Sequence, residues 1–523
     1  MDLNRLIKSS KISRRSLLLA TGSMAGVAIS KKVVSNPKYR DYPFTLGVAS
    51  GEPLANSVVL WTRLAPNPTL GVSMPPVNVT LQWQVAKDKK MSQIVARGET
   101  IATPELAHSV RVVVNRLEPN SWYWYQFKSG NEVSPIGRTR TLPALNSNPE
   151  NLAFAFVSCQ NYQHGYFNAY RHLAAEELDF VIHLGDYIYE YANNPKKNRI
   201  RKHPSREAKD LDSYREFYAL YRSDRDLQAA HAAFPFICTW DDHEVDNDYA
   251  DLESQDFDSP EEFLLRRAAA YQAYYEHLPL RPFSRPQNEK MQIYRSFNWG
   301  NLASFYLLDN RQYRSDQPCD SNGKGGGQLI TQCPERFDRT RTLLGQKQER
   351  WLFDNLDRSP ATWNVIAQQS LVAELQRKLD GEIAYWTDGW DGYPIARQRI
   401  LDFIENNNIT NPVFIGGDIH SFWVTDLKSD FNDPNSKTIA TEFVGTSISS
   451  NGISYKRIAP LIKDYPYIKF FESRLRGYVK CNVNNERWLT DLRAVNTVKY
   501  PRSTIKTLAS FVVENGRVGA RQV

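Results

Sequence analysis

Residues 179–190, DFVIHLGDYIYE, read as a short buried strand that stops abruptly in Gly185, Asp186 and Tyr189. The apolar run suits a strand covered on both faces, and the glycine behind it marks a turn. Four other stretches have the same shape: FAFVSCQN (154–161), FPFICTWDDHEVDND (234–248), FYLLDNRQYR (305–314) and NPVFIGGDIHSFW (411–423). They end in Cys159, in Asp241, Asp242 and His243, in Arg311, and in Asp418 and His420. An open α/β sheet gathers whatever lies at the carboxyl ends of its strands into one crevice, so groups spread over roughly 260 residues can meet there. The pattern points to a metallo-active site.

Around these strands, residues from about 151 onward alternate buried strands with amphipathic helices (166–178, 260–278, 344–356 and 395–406), the pattern of a layered α/β domain reaching 523. Stretches at 191–212, 314–340 and 375–393 lack periodicity and read as long loops around the site. Ahead of them, residues 43–141 read as an all-β domain. Val77, Val79, Leu81, Trp83 and Val85 alternate strictly, as do Val110, Val112 and Val114, and a turn at Pro119 leads into the aromatic strand of Trp122, Trp124 and Tyr125. Such short strands fit an immunoglobulin or fibronectin III-like sandwich. LPALNSNP (142–149) reads as the linker.

The N-terminus reads as an export signal. Arg5, Lys8, Lys11, Arg14 and Arg15 precede an apolar run over 16–30 that is too short for a membrane span and ends in Ala28-Ile29-Ser30, an acceptable cleavage site. The paired arginines in residues 1–30 resemble a twin-arginine signal, which exports folded proteins, so the chain is expected in the periplasm or outside the cell, meeting the twin-arginine machinery and the membrane only during export. The formal net charge of +7 is concentrated in that segment, and the remainder is too small to argue for nucleic-acid binding. No CxxC or zinc-ribbon spacing occurs. Cys319 and Cys333 flank a Gly-rich loop, and an oxidising compartment would permit a disulfide there, a question left open by spacing alone.

The chemistry is legible in the spacing. In GDYIY a carboxylate at a strand end is followed three residues later by a phenol, and in GDIH a carboxylate and an imidazole stand two apart, pointing the same way in extended backbone. Five carboxylates and a histidine crowd into 241–248, an unfavourable density of like charge unless cations neutralise it or the run lies in open solvent. Ser447 in GTSISS lacks the glycine of a nucleophile elbow, and neither a Walker loop nor a dinucleotide fingerprint is present.

Taken together, SCQ, HLGDYIYE, WDDHEVDND, LDNRQYR, DGWDGYP and GGDIHSFW, with FTLGVASGEP and VVLWTRLAP ahead of them, resemble the PhoD-like alkaline phosphatases of the metallophosphatase (calcineurin-like, purple acid phosphatase) superfamily. The resemblance implies a layered calcineurin-like catalytic domain over 151–523 and hydrolysis of phosphate mono- or diesters by metal-assisted, in-line attack of hydroxide on phosphorus. This chain departs from the wider superfamily: Cys159 stands at a carboxylate position, Asp242 precedes His243 where Asn is usual, Asp418 replaces a histidine, and WNVIAQQ offers Gln368 and Gln369 in place of an imidazole. Hard oxygen donors suit calcium, and a thiolate, phenolate and imidazole suit a redox-type metal. The resemblance implies ferric iron held by Cys159, Asp186, Tyr189 and His420, with Asp186 bridging to calcium on Asp242 and Asp418. His243 is implied beside the phosphate as hydrogen-bond donor or leaving-group acid, and Arg311 as the cation on a phosphate oxygen. The other readings are a phospholipase D-like diesterase on the same scaffold and a non-catalytic surface binding protein.

Overall fold

A computed structural model describes residues 33–68, 74–192, 200–319 and 325–523; the export signal expected over 1–30 lies outside them. Two large sheets dominate the described residues. The first carries Asn151–Val157, Phe180–His183 and Pro235–Cys238 as parallel neighbours, extended on one side by the antiparallel strands Arg476–Asn484, Arg487–Val495, Ile505–Glu514 and Arg517–Gln522. The second places Ala303–Leu307, Trp363–Ala367, Pro412–Gly416 and Thr438–Val444 in parallel, with Phe422–Lys428 and Ile468–Glu472 beyond them.

Strands this short, apolar at every position, must be covered on both faces. Phe154, Phe156, Phe180 and Ile182 of the first sheet face Phe305, Val365, Ile415 and Phe443 of the second across one shared core. Phe154 stacks on Phe180 with centroids 5.4 Å apart and meets Phe305 edge-on at 5.3 Å. Burial of each such side chain is worth about 1.5–3 kcal/mol. The outer face of the first sheet is covered by Leu211–Arg222, Arg225–Ala233 and Pro260–His277, which contribute Phe217, Leu227, Tyr271 and Tyr274. Gly345–Asp357 and Pro394–Asn406 cover the second sheet with Leu352, Leu356, Ile400 and Ile404. The result is helix, sheet, sheet, helix.

The N-terminal β segment is joined to this core. A small sheet built on Asn78–Ala86, Ile94–Ala102, Trp122–Ser129 and Gly137–Arg140 packs Val79, Leu81, Val85, Tyr125 and Phe127 against Val58, Leu60, Val110 and Val112. Those partners lie on Ser57–Arg63 and Ser109–Asn115, which with Val48–Leu54 form the other end of the ten-stranded catalytic sheet. The seam is the pairing of Ser50 and Gly51 with Pro235 and Phe236. A Cβ on Gly51 would lie 2.4 Å from the Phe236 carbonyl, so only glycine permits the close approach.

Local differences from the sequence reading have physical causes. The stretch at 375–393 contains the hairpin of Arg377–Leu379 and Glu382–Trp386, which pairs with Leu329–Ile330, so it is partly sheet where a loop was expected. The helix expected over 166–178 is confined to Asn168–Leu173. The C-terminal strands form the sheet edge, where Gly519 and Ala520 donate backbone hydrogen bonds to Thr441 and Asp426 of the other sheet. Cys319 and Cys333 are disulfide-bonded.

Candidate metal centre

The carboxyl ends of the parallel strands of both sheets open on one crevice, and the turns leaving them are forced into unusual backbone. Cys159, Asp186, Asp418 and His420 all have left-handed φ, at 59°, 56°, 59° and 53°. For side chains of this kind each such residue costs on the order of 1 kcal/mol, which the surrounding contacts must hold. Glu244 does much of the holding: its carboxylate accepts the N–H groups of Asp186 (3.1 Å), Tyr187 (2.5 Å) and Asp241 (2.8 Å), clamping two strand ends together. Gly185 closes the same junction, since a Cβ there would sit 2.4 Å from the Asp241 nitrogen.

Ligand atoms of Cys159, Asp186 and His420 lie within 4.8 Å of one another. The Tyr189 phenol joins them, 2.9 Å from Asp186 Oδ2 and 3.0 Å from His420 Nε2. His420 Nδ1 lies 2.7 Å from the Asn451 carbonyl, the contact that leaves Nε2 as the lone-pair nitrogen facing the cluster. Burial, helped by Arg476, pushes the imidazole down to about 3, so it is neutral at physiological pH.

The second group shares Asp186: its carboxylate, that of Asp242 and a ring nitrogen of His243 again fall within 4.8 Å. Asp242 Oδ2 accepts the Asp248 N–H at 2.8 Å, and His243 Nδ1 lies 2.7 Å from Glu190 Oε2. The His243 ring is packed on Tyr189 with centroids 4.1 Å apart. Asp418 falls outside both close groups, and burial together with the charge of Asp241 pushes its carboxyl well up.

Arg311 is engaged with carboxylates. Its Nε donates to Asp241 Oδ1 at 2.5 Å, Nη1 to both oxygens of Asp388 at 2.9 Å, and Nη2 lies 3.6 Å from Asp242 Oδ1. Asp388, supported also by Arg314, belongs to this network and was missed because 375–393 reads as a loop in sequence, whereas the strand Glu382–Trp386 leads into it. Gln368 and Gln369 serve the framework: Gln369 donates to the Trp240 and Leu308 carbonyls, and Gln368 accepts from Trp390 at 3.0 Å. Trp390 and Asp391 are interior, Asp391 pairing with Arg397 at 2.7 Å.

The charge balance tests whether cations fit. Asp186, Asp241, Asp242, Glu244 and Asp388 are buried here against the guanidiniums of Arg311 and Arg314 and the ring of His243. Burial raises the Asp186 carboxyl to about 7 against the pull of His243. Asp186 Oδ1, Asp241 Oδ2 and Asp242 Oδ1 are buried without any hydrogen-bond partner. Orphaned carboxylate oxygens in so negative a pocket are the expected mark of bound cations. The donor sets fit metal binding, and Asp186 is common to both groups.

The chain matches the family model of the PhoD-like phosphatase over residues 154–492 and that of its N-terminal domain over 28–143. It is 47% identical to alkaline phosphatase D of Bacillus subtilis (strain 168), over 99% of this chain and 90% of that protein. A solved structure of PhoD superposes with a TM-score of 0.89 at 49% identity, covering 93% of each chain.

Proposed function

Because the chain belongs to the PhoD-like phosphatase family and is a phosphoric ester hydrolase, we propose that its crevice holds ferric iron and calcium at the residues named above. The observation that carries this reading is the shared Asp186 carboxylate, common to both ligand groups and left with an orphaned Oδ1. Cys159, Tyr189 and His420 would supply the softer and phenolic donors suited to iron, Asp186 is common to both groups, and Asp242 and Asp418 would supply the hard oxygens suited to calcium. When bound, the cations supply an acidified water and positive charge for the phosphate oxygens.

The chain's own groups do the remaining work. Glu190 fixes the His243 ring beside Asp186 and Asp242, where it can donate a hydrogen bond to a phosphate oxygen or a proton to the departing alkoxide. Arg311 sets the position of Asp242 and Asp241, and its Nη2 is the guanidinium nitrogen left nearest the crevice for a phosphate oxygen. Asp418 and His420 are half-buried, whereas the other candidate site residues are buried.

The four-layer order supports a calcineurin-like catalytic fold, and the small sheet packed on Ser57–Arg63 supports an immunoglobulin-like reading of the N-terminal segment. Export by the twin-arginine route to the periplasm or cell exterior is supported by Arg14-Arg15, by the apolar run behind them and by a disulfide, which oxidising compartments sustain.

The test is elemental analysis of the purified protein together with turnover of mono- and diesters. Iron and calcium should both be present, and Asp186→Asn should abolish turnover of a chromogenic phosphate ester while leaving the fold intact. Full activity without iron would overturn the assignment.

A further inference from the structure

A cavity of about 700 Å³ lies against Gln312 and Tyr313, and none of the candidate metal ligands lines it. Its lining includes Arg267, Arg285, Lys290 and Lys347 but a single acid, Asp251, which is already paired with Arg267 at 3.0 Å. Arg285, Lys290 and Lys347 have no ion-pair partner among the described residues, whereas Arg311 and Arg314 beside the metal centre are paired with carboxylates. Arg267 is 3% exposed, and its Nε is buried without a hydrogen-bond partner. The start of the helix Gly345–Asp357 forms another wall. Leu344 gives it no side-chain cap, its first turn holds no acid, and Lys347 stands there instead. A lysine at the positive end of a helix is unfavourable unless an anion offsets both. Phe283, 56% exposed, and the rings of Tyr294 and Tyr313 complete the lining.

Unpaired cations converging on a concavity raise the local positive potential and concentrate anions. The cavity also shares a wall with the catalytic crevice. The Asp251 N–H donates to the Arg311 carbonyl at 3.0 Å, and Gln348 holds the Asp309 backbone through two hydrogen bonds of 2.8 Å. We propose that this cavity is a second oxyanion site, selective for phosphate groups and separate from the metal centre. The phosphate is either free inorganic phosphate or a distal phosphoryl group of a polyphosphorylated or diester-linked substrate.

The experiment compares the wild-type holoenzyme with Arg285→Gln/Lys290→Gln/Lys347→Gln, which changes three residues remote from the metals and leaves the buried Arg267 in place. Equilibrium dialysis with labelled inorganic phosphate should find two equivalents bound in the wild type and one in the variant, with kcat on a small chromogenic monoester unchanged. If the site serves a substrate chain, KM for a diester-linked phosphate oligomer should also rise roughly tenfold in the variant, the scale of losing a few screened charge contacts, while KM for the small ester stays put. An unchanged oligomer KM with loss of the second phosphate identifies free phosphate as the ligand. One equivalent in the wild type, or two in both proteins, overturns the proposal.

Discussion

The Ser450 hydroxyl lies 2.7 Å from the Tyr189 phenol oxygen and 2.8 Å from the Cys159 carbonyl, and it accepts the Asn161 N–H at 3.2 Å. One hydroxyl has one proton, so Ser450 can serve only one of those two acceptors at a time. Arg476 fixes this turn, donating to the Ser450 carbonyl and the Ser447 hydroxyl at 2.8 Å and to the His420 carbonyl at 2.9 Å. Ser450→Ala should therefore loosen Tyr189 and Cys159 together and weaken metal retention by about 10–100-fold, the usual scale for losing such a supporting contact. Titration of the metal-loaded protein against a competing chelator measures this. Under the proposed iron assignment, the phenolate absorption band should shift in wavelength, and Ser450→Thr should restore it.

Arg311 separates two roles that are easily confused. If it only met substrate, its removal would spare stability. Instead its guanidinium satisfies Asp241 and Asp388 in a buried site, so Arg311→Met should cost about 3–5 kcal/mol by leaving buried carboxylates uncompensated. Urea unfolding of the metal-free protein reads this cost directly. Adding Asp388→Asn to the same chain should recover part of it.

The strand ends were readable because their apolar runs stop at glycine and at ligating side chains, and Cys159, Asp186, Tyr189 and His420 do come together in space. Glu244 was visible only as one acid in a crowded run; nothing in sequence distinguishes the carboxylate that clamps three backbone amides from those that face the crevice. Asp388, Ser450 and Arg476 were unreadable for another reason. Their partners are reached only through tertiary packing, and GTSISS has neither periodicity nor a metal-binding spacing. The N-terminal strands gave their alternation correctly at Val110, Val112 and Val114, but alternation identifies a buried face and not the sheet that buries it.

Glu442 provides a pH test away from the metals. It is fully buried, accepts the N–H groups of Val372 (2.6 Å) and Ala373 (3.1 Å) and the Thr425 hydroxyl (2.8 Å), and lies near Arg397. Burial outweighs these contacts and raises its carboxyl from 4.5 to about 7. A carboxyl raised in the folded state favours the fold when protonated: that contribution is complete below about pH 4.5 and is lost as pH rises toward 7. Between those limits the wild type should lose up to about 3 kcal/mol relative to Glu442→Gln, whose stability should be flatter with pH. Denaturant midpoints measured across pH 4 to 8 check the slope. A wild type and variant with parallel profiles would contradict the protonated state of Glu442.

Removing metal should expose the charge imbalance that the crevice contains. With the cations stripped, the buried carboxylates of Asp186, Asp241 and Asp242 repel one another around the orphaned Asp186 Oδ1, Asp241 Oδ2 and Asp242 Oδ1. Chelation should lower Tm, and restoring a cation at a hundred times its Kd should return about 2.7 kcal/mol by mass action alone. Asp418→Asn separates the two ions. Asp418 stands outside the cluster of Cys159, Asp186 and His420. Under the proposed assignment, the variant should lose the calcium-dependent part of the recovery and keep iron with its absorption band. Loss of both ions together would place Asp418 at the shared centre instead.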